Sequence, residues 1–357
     1  MLQMALIPDF MIRRSVIISF WILTFKVSSA QIGGERSFEF IIVPVSTIVS
    51  GVGGANVSLY NQSVDLFFSN PGLISDEQSG TATISYLDFI SDINLATVAY
   101  TQKFNKWGIW SFGVQYMDLG NIESFDATGT ALGSFTSSEY LIAIGHTRKI
   151  SSFSLGANLK IAGSDIAGFN ATGLMFDLGG VFVHPVHDLS IGLSIKNVGF
   201  LLKDYSDESN SQLPFDVQMG VSFKPIHMPV RFSTTIYNLY KRDIVFFTPD
   251  EQGQEDKEAS MADKVFRHFV FGAEFILTPN VNLRFGYNHL RRKELRLEDT
   301  SGGAGISYGL LFKVKKFEFS YTRSGYHVAG GTNNFSLSTN FTRFIKKTDS
   351  LELKNGR

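Results

Sequence analysis

The sequence predicts an all-β fold, a transmembrane antiparallel β-barrel of about 14 strands preceded by an N-terminal hatch or plug segment. Three observations predict it. Apolar and polar residues take turns over many short segments. The connections between those segments are tight and long by turns. A secretory signal stands near the start, and no apolar run of comparable length follows it.

The alternation is plainest between residues 281 and 344. Val281, Leu283, Phe285, Tyr287 and His289 alternate with Asn282, Arg284, Gly286 and Asn288, the two-residue period of a strand. Phe317, Phe319 and Tyr321 do the same against Glu318, Ser320 and Thr322. So do Phe335, Leu337, Thr339 and Phe341 against Asn334, Ser336, Ser338 and Asn340. A soluble sheet also alternates, but here the apolar set is rich in Phe and the other set in Gly and charge. The first set is therefore read as facing lipid and the second as lining a lumen. Lys160, Lys196, Glu274, Arg284, Glu318 and Arg323 are expected to point inward, because a Lys or Arg on the lipid face costs roughly 2–4 kcal/mol at mid-depth.

The connections supply the second observation. Tight ones are expected at 105–106, 150–151, 185–187, 225–228, 278–280 and around Lys315. Longer ones are expected at 119–135, 164–171, 200–214, 241–265, 292–302 and 327–332. Outer-membrane barrels have short turns on the periplasmic side and long loops outside, whereas a β-sandwich has no reason to keep that rhythm. The first hairpin, turning at Ser91, is too short for a typical outer loop. An even strand count with short periplasmic turns places both termini in the periplasm of a bacterial outer membrane.

The signal is the third. Met-Ile-Arg-Arg from Met11, an apolar run over 15–25 and Val27-Ser28-Ser29-Ala30 before Gln31 make the three parts of a secretory peptide, with cleavage after Ala30. Residues 1–30 are thus read as signal peptide, with Met11 as the alternative start. Residues 31–78 alternate poorly and are crowded with small and turn-forming residues, including Gly33-Gly34, Gly53-Gly54 and Asn70-Pro71-Gly72. They are read as the hatch, 79–344 as the barrel and 345–357 as a periplasmic tail.

Composition narrows the function classes. The 357 residues carry 32 Lys+Arg against 33 Asp+Glu, so no basic excess is available to track nucleic-acid phosphates. Phe and Gly each number 33 and Pro only 9, which suits twisted strands joined by turns. The absence of Cys excludes disulfides, thiolate metal sites and cysteine nucleophiles.

The order of several motifs then resembles a known family. Phe38-Glu39-Phe40-Ile41-Ile42-Val43-Pro44-Val45-Ser46, Gly53-Gly54-Ala55-Asn56-Val57-Ser58, Asp65 and Asn70-Pro71-Gly72-Leu73 resemble the hatch region of the PorV/PorQ proteins of the type IX secretion system. Those proteins are similar to FadL-type fourteen-stranded barrels. Ala157-Asn158-Leu159-Lys160, Lys196-Asn197-Val198-Gly199-Phe200, Leu213-Pro214 and Leu283-Arg284-Phe285-Gly286-Tyr287-Asn288 agree with it, and length and strand count sit closer to the PorQ type. Gly72, where the family more often has Ala, and the tail beyond Phe344 depart from the pattern. The resemblance implies a non-catalytic outer-membrane component of type IX secretion. Such a component anchors a PorZ-like surface protein in an attachment complex with PorU- and PorV-type members. The alternative is a FadL-like outer-membrane transporter of hydrophobic substrates.

Candidate site residues follow. Gly53, Gly54, Asn56, Asp65, Asn70 and Pro71 suit the tight turns of a plug; the plainer reading is a loosely packed periplasmic arm. Asp250, Glu251, Glu255, Asp256 and Glu258 form a candidate partner-docking loop, although a solvated acidic loop explains the same composition. His184 and His187 flank a short turn without the ligand cluster a metal needs. No compact catalytic constellation is read from the sequence, and no cofactor is expected.

Overall fold

The computed structural model describes residues 36–126, 128–206, 209–245, 259–295, 302–327 and 330–342. The signal region, the acidic loop residues Asp250, Glu251, Glu255, Asp256 and Glu258, and the tail lie outside the described residues. The strands are β1 Thr81–Asp88, β2 Asn94–Phe104, β3 Gly108–Phe125, β4 Ala131–Ile150, β5 Phe153–Ile166, β6 Phe169–Val183 and β7 Asp188–Lys203. They continue as β8 Asp216–Lys224, β9 Val230–Ile236, β10 Phe269–Thr278, β11 Val281–Asn288, β12 Ile306–Val314, β13 Phe317–His327 and β14 Gly330–Asn340. Each pairs antiparallel with its sequence neighbours, and β1 closes onto β14. Closure satisfies every strand edge that hydrocarbon would otherwise leave unpaired.

Side-chain parity follows the predicted alternation. Phe285, Phe317, Phe319, Phe335 and Leu337 are exposed on the outer face, while Arg284, Ser320, Thr322 and Asn334 are buried inside. Two local features change the reading. In β7 the backbone turns left-handed at Asn197 and the β6 register slips between Phe176 and Leu178. That bulge moves the outward set from odd numbers (Leu193) to even ones (Val198, Phe200, Leu202). Arg323 is the second, and a correction: it follows luminal Thr322, so the pleat turns it outward. It donates to Asn333 at 2.9 Å, whose amide donates to Asp88 at 2.9 Å. Arg323, Asn333, Asp88, Asn94 and Asp118 are cross-strand partners in turn, a polar row whose first three members satisfy one another's charge and hydrogen bonds.

The connections expected to be tight all fall at one end of the ring, the turn end, with left-handed residues at Ser151 and Lys315. The other end is built differently from the prediction. Residues 119–135 and 164–171 are not open loops, because β3–β4 and β5–β6 continue as paired hairpins closed by positive-φ glycines 129 and 168. Pairing satisfies backbone groups that a loop would leave to solvent. His289 does not extend β11; it opens the short helix His289–Glu294, capped by Asn288. A second short helix, Met261–Phe266, precedes β10.

Candidate functional site

Residues 36–80 run inside the ring. They form one α-helical turn, Thr47–Gly51, capped by Ser46, and 3-10 turns at Glu39–Ile42, Val64–Phe68, Pro71–Leu73 and Asp76–Gln78. Ile48, Val49, Val52, Leu59, Leu66 and Leu73 pack together into a small core belonging largely to this segment. With so little regular structure, most of its carbonyls need partners from elsewhere.

The lumen wall provides them. Thr147 donates to the carbonyl of Pro71 (2.6 Å), Asn158 to Phe67 (2.8 Å), Ser190 to Ser58 (2.6 Å) and Ser194 to Ser69 (3.1 Å). Asn288 reaches Gly53 (3.2 Å), Ser307 reaches Gly51 (3.2 Å), Thr322 reaches Thr47 (2.8 Å) and Asn334 reaches Val45 (3.2 Å). Hydroxyl pairs Ser58–Ser222 (2.7 Å) and Thr47–Ser336 (2.9 Å) complete the set. Strands β4, β5, β7, β8 and β11 to β14 all take part. Apart from Thr147 and Asn158, the contact on the β1 to β6 side is largely apolar: Phe38, Phe40, Phe67 and Phe68 meet Leu95, Ala99, Met117, Leu141, Ala143 and Met175.

The predicted turn residues sit within this segment. Gly53 and Gly54 have φ of +106° and +95°, so Gly is required there. The Asn56 carboxamide accepts from the amides of Ser58 and Leu59, both at 2.9 Å. Asp65 is buried in the turn Val64–Phe68. Asn70 Oδ1 accepts from Gly72 N at 2.9 Å, and its amide reaches the carbonyls of Val57, Gly180 and Leu193. Pro71 packs on Gly156 and Gly179.

Of the predicted luminal charges, Lys160, Glu274 and Arg284 are almost fully buried. Lys160 pairs with Asp177 at 2.5 Å, and Asn158 and the Asn197 amide also donate to that carboxylate. Glu274 takes Arg284 at 2.9 Å and Arg231 at 2.7 Å. Glu318 pairs with Lys313 near the turn end, and Lys196 lies at the β7 bulge opposite Asp177. Asp177, Arg231 and Asn197 were not singled out from sequence. Asp177 shows there only as the polar member of an alternating strand, and nothing local pairs it with Lys160. His184 and His187 lie side by side with rings tilted at 35° and centroids 4.7 Å apart, and His184 Nδ1 accepts two turn amides. Among the described residues no cluster suited to a metal occurs.

The loop end adds two features. Asp263 gathers Arg267 (2.9 Å), His289 (2.9 Å) and Lys293 (3.4 Å). Burial would raise its carboxyl, but hydrogen bonds from His289 and Arg267 and the charges of Arg267 and Lys293 prevail and hold it down at about 2. Pairing of β7 with β8 ends at Lys196 and Asp216 while β7 continues to Lys203. Beside that upper stretch lies a cavity of about 610 Å³ bordered by Phe200, Leu201, Lys203, Asp204, Leu213 and Phe215. Ser37 donates to Gln212 in the loop closing it.

Comparison with known proteins places the fold. No family model and no curated protein matches the chain. A solved mutant of the TodX monoaromatic hydrocarbon channel lacking S2 superposes with a TM-score of 0.51 at 13% identity, covering 84% of this chain and 99% of that one. A second TodX mutant gives 0.49 at 13% identity over 83% and 99% of the two chains. A Pseudomonas aeruginosa FadL homologue gives 0.44 at 11% identity, over 83% and 98%. The chain is thus a closed, antiparallel fourteen-stranded barrel, and its fold is similar to that of the TodX channel.

Proposed function

We propose that this protein is a non-catalytic outer-membrane barrel that works as a scaffold, a rigid wall in lipid that presents its loop end to a surface partner. The observation that supports this reading is the lumen side of the wall, whose residues bond and pack to residues 36–80 from several strands. In the type IX setting implied by the sequence resemblance, the partner is PorZ-like and the neighbours are PorU- and PorV-type. The termini are then periplasmic, and the acidic residues 250–258 supply the docking loop. No family or curated match supports that setting. Affinity purification in mild detergent with mass spectrometry tests it. Co-purified secretion components are the expected result, and loss of the surface partner on deleting 250–262 assigns the loop. A bound hydrophobic molecule without partners overturns it.

A second reading, transport of hydrophobic molecules, is favoured by the cavity beside the end of β7 that β8 does not pair. The barrels of like fold also lean this way, since they include a monoaromatic hydrocarbon channel. On this reading a substrate leaves sideways past Phe200 and Leu213. Filling the cavity by Leu213→Trp then abolishes uptake, whereas a scaffold is indifferent to it.

A further inference from the structure

Outside β5 to β7, towards the turn end, the wall carries an apolar groove of about 520 Å³ between Phe153, Leu155, Leu178, Phe182, Leu193 and Met219. Gly180 makes it: it stands on the outward parity of β6 between Leu178 and Phe182, where a side chain would fill the space. The floor is one backbone thick and braced from within. A Cβ on inward Gly179 would stand 2.0 Å from Asn70 Oδ1, and one on Gly192 1.9 Å from the carbonyl oxygen of Val57. The Asn70 amide lies 3.3 Å from the carbonyl oxygens of both Gly180 and Leu193. The luminal segment therefore holds the groove open as a fixed shape.

A line of rings leads from the groove to the turn. Phe153 and Phe182 are 5.3 Å apart, Phe182 and His184 6.3 Å, and His184 and His187 4.7 Å. We propose that this groove binds one acyl chain of a glycerophospholipid of the turn-side leaflet, with the headgroup beside His184 and His187. Continuity with the lipid-facing belt and a polar border at the turn end alone fit a molecule with one long apolar tail and one polar head. A strand from another protein is not accommodated, because β5, β6, β7 and β8 are all paired here and offer no free edge.

The test uses the full-length protein in phosphatidylethanolamine nanodiscs containing a trace of the same lipid with an acyl-chain diazirine, crosslinks being mapped by mass spectrometry. Labelling of 178–182 and 191–195 is expected to exceed that of the outward residues of β12 and β13 about fivefold, a modest preference for one site. Gly180→Leu should bring the ratio to one by filling the groove, and its new Cβ meets the end of the Leu155 side chain at 3.0 Å and the Ser154 carbonyl oxygen at 3.9 Å. Met219→Trp narrows the groove from β8 and carries the same expectation should the first variant not fold. A ratio of one in the native protein, or an undiminished ratio in a folded variant, overturns the proposal. A crosslinker at position 193 that captures a protein in native membranes overturns the choice of occupant. Neither functional reading is needed for the outcome.

Discussion

The two sides of the lumen hold the same segment by different physics. Against β1 to β6 it is seated mainly by packing, with Phe67 and Phe68 on the bare backbone of Gly113 and Gly145 and with Thr147 and Asn158 donating to its carbonyls. Against β7 to β14 it is fixed by hydroxyls and carboxamides that donate to its carbonyls. Packing is non-directional and supplies most of the burial, whereas each hydrogen bond adds little net stability but specifies position. The apolar side therefore sets whether the segment stays, and the polar side sets where.

That comparison can be broken most severely on the packed side. Phe67→Ala removes a fully buried ring and should cost about 3–5 kcal/mol, read as release of residues 36–78 to protease while the barrel resists unfolding. Lys160→Met strands the Asp177 carboxylate inside the wall, an effect of about 3–5 kcal/mol on thermal unfolding in detergent. The double change Lys160→Met with Asp177→Leu should recover most of it, and an unrecovered double variant would refute the pairing argument. Across the lumen, in β7, Gly192→Ala drives a methyl into the Val57 carbonyl and should destabilise by about 1–3 kcal/mol. Its planar-bilayer conductance should rise above that of the native protein.

Single hydrogen bonds of the polar side should yield smaller numbers. Thr322→Val loses one bond to Thr47, about 1 kcal/mol, and hydrogen exchange should increase in the Thr47–Gly51 turn alone. The smallest effect belongs to the loop end. Because the Asp263 carboxyl is held down at about 2, its stabilisation is fully present above the ordinary Asp value near 4. It fades as pH falls through that value towards 2. Exchange protection of the helix Met261–Phe266 followed from pH 6 to pH 2 should show this, and Asp263→Asn should flatten the profile.

Much of the wall was legible because strand parity is local. Val281, Leu283, Phe285 and Tyr287 declare one face and Arg284 the other within a single strand, with no knowledge of the partner strand. Where parity misled, a non-local or backbone feature intervened. Arg323 was assigned inward although it follows luminal Thr322, and only the row through Asn333 and Asp88 shows why a charge is tolerated there. The bulge at Asn197 shifts the β7 face because an extra residue opposes Asp177, something a single strand does not reveal. Long hairpins β3–β4 and β5–β6 looked like loops because Gly-rich, polar sequence serves either.

The site was less legible. Gly53, Gly54, Asn56 and Asn70 were recognisable as turn residues, since positive φ and carboxamide capping are properties of a few consecutive residues. Which wall residues meet them was not. Alternation of side chains, turn chemistry and the run after Met11 are properties of neighbours in the chain, so the sequence alone determined the strand class, their number and the lipid face. The partners of Lys160 and Glu274, the seat of residues 36–80 and the groove at Gly180 join residues far apart in the chain. Only ring closure brings them together, and only the tertiary structure decided them.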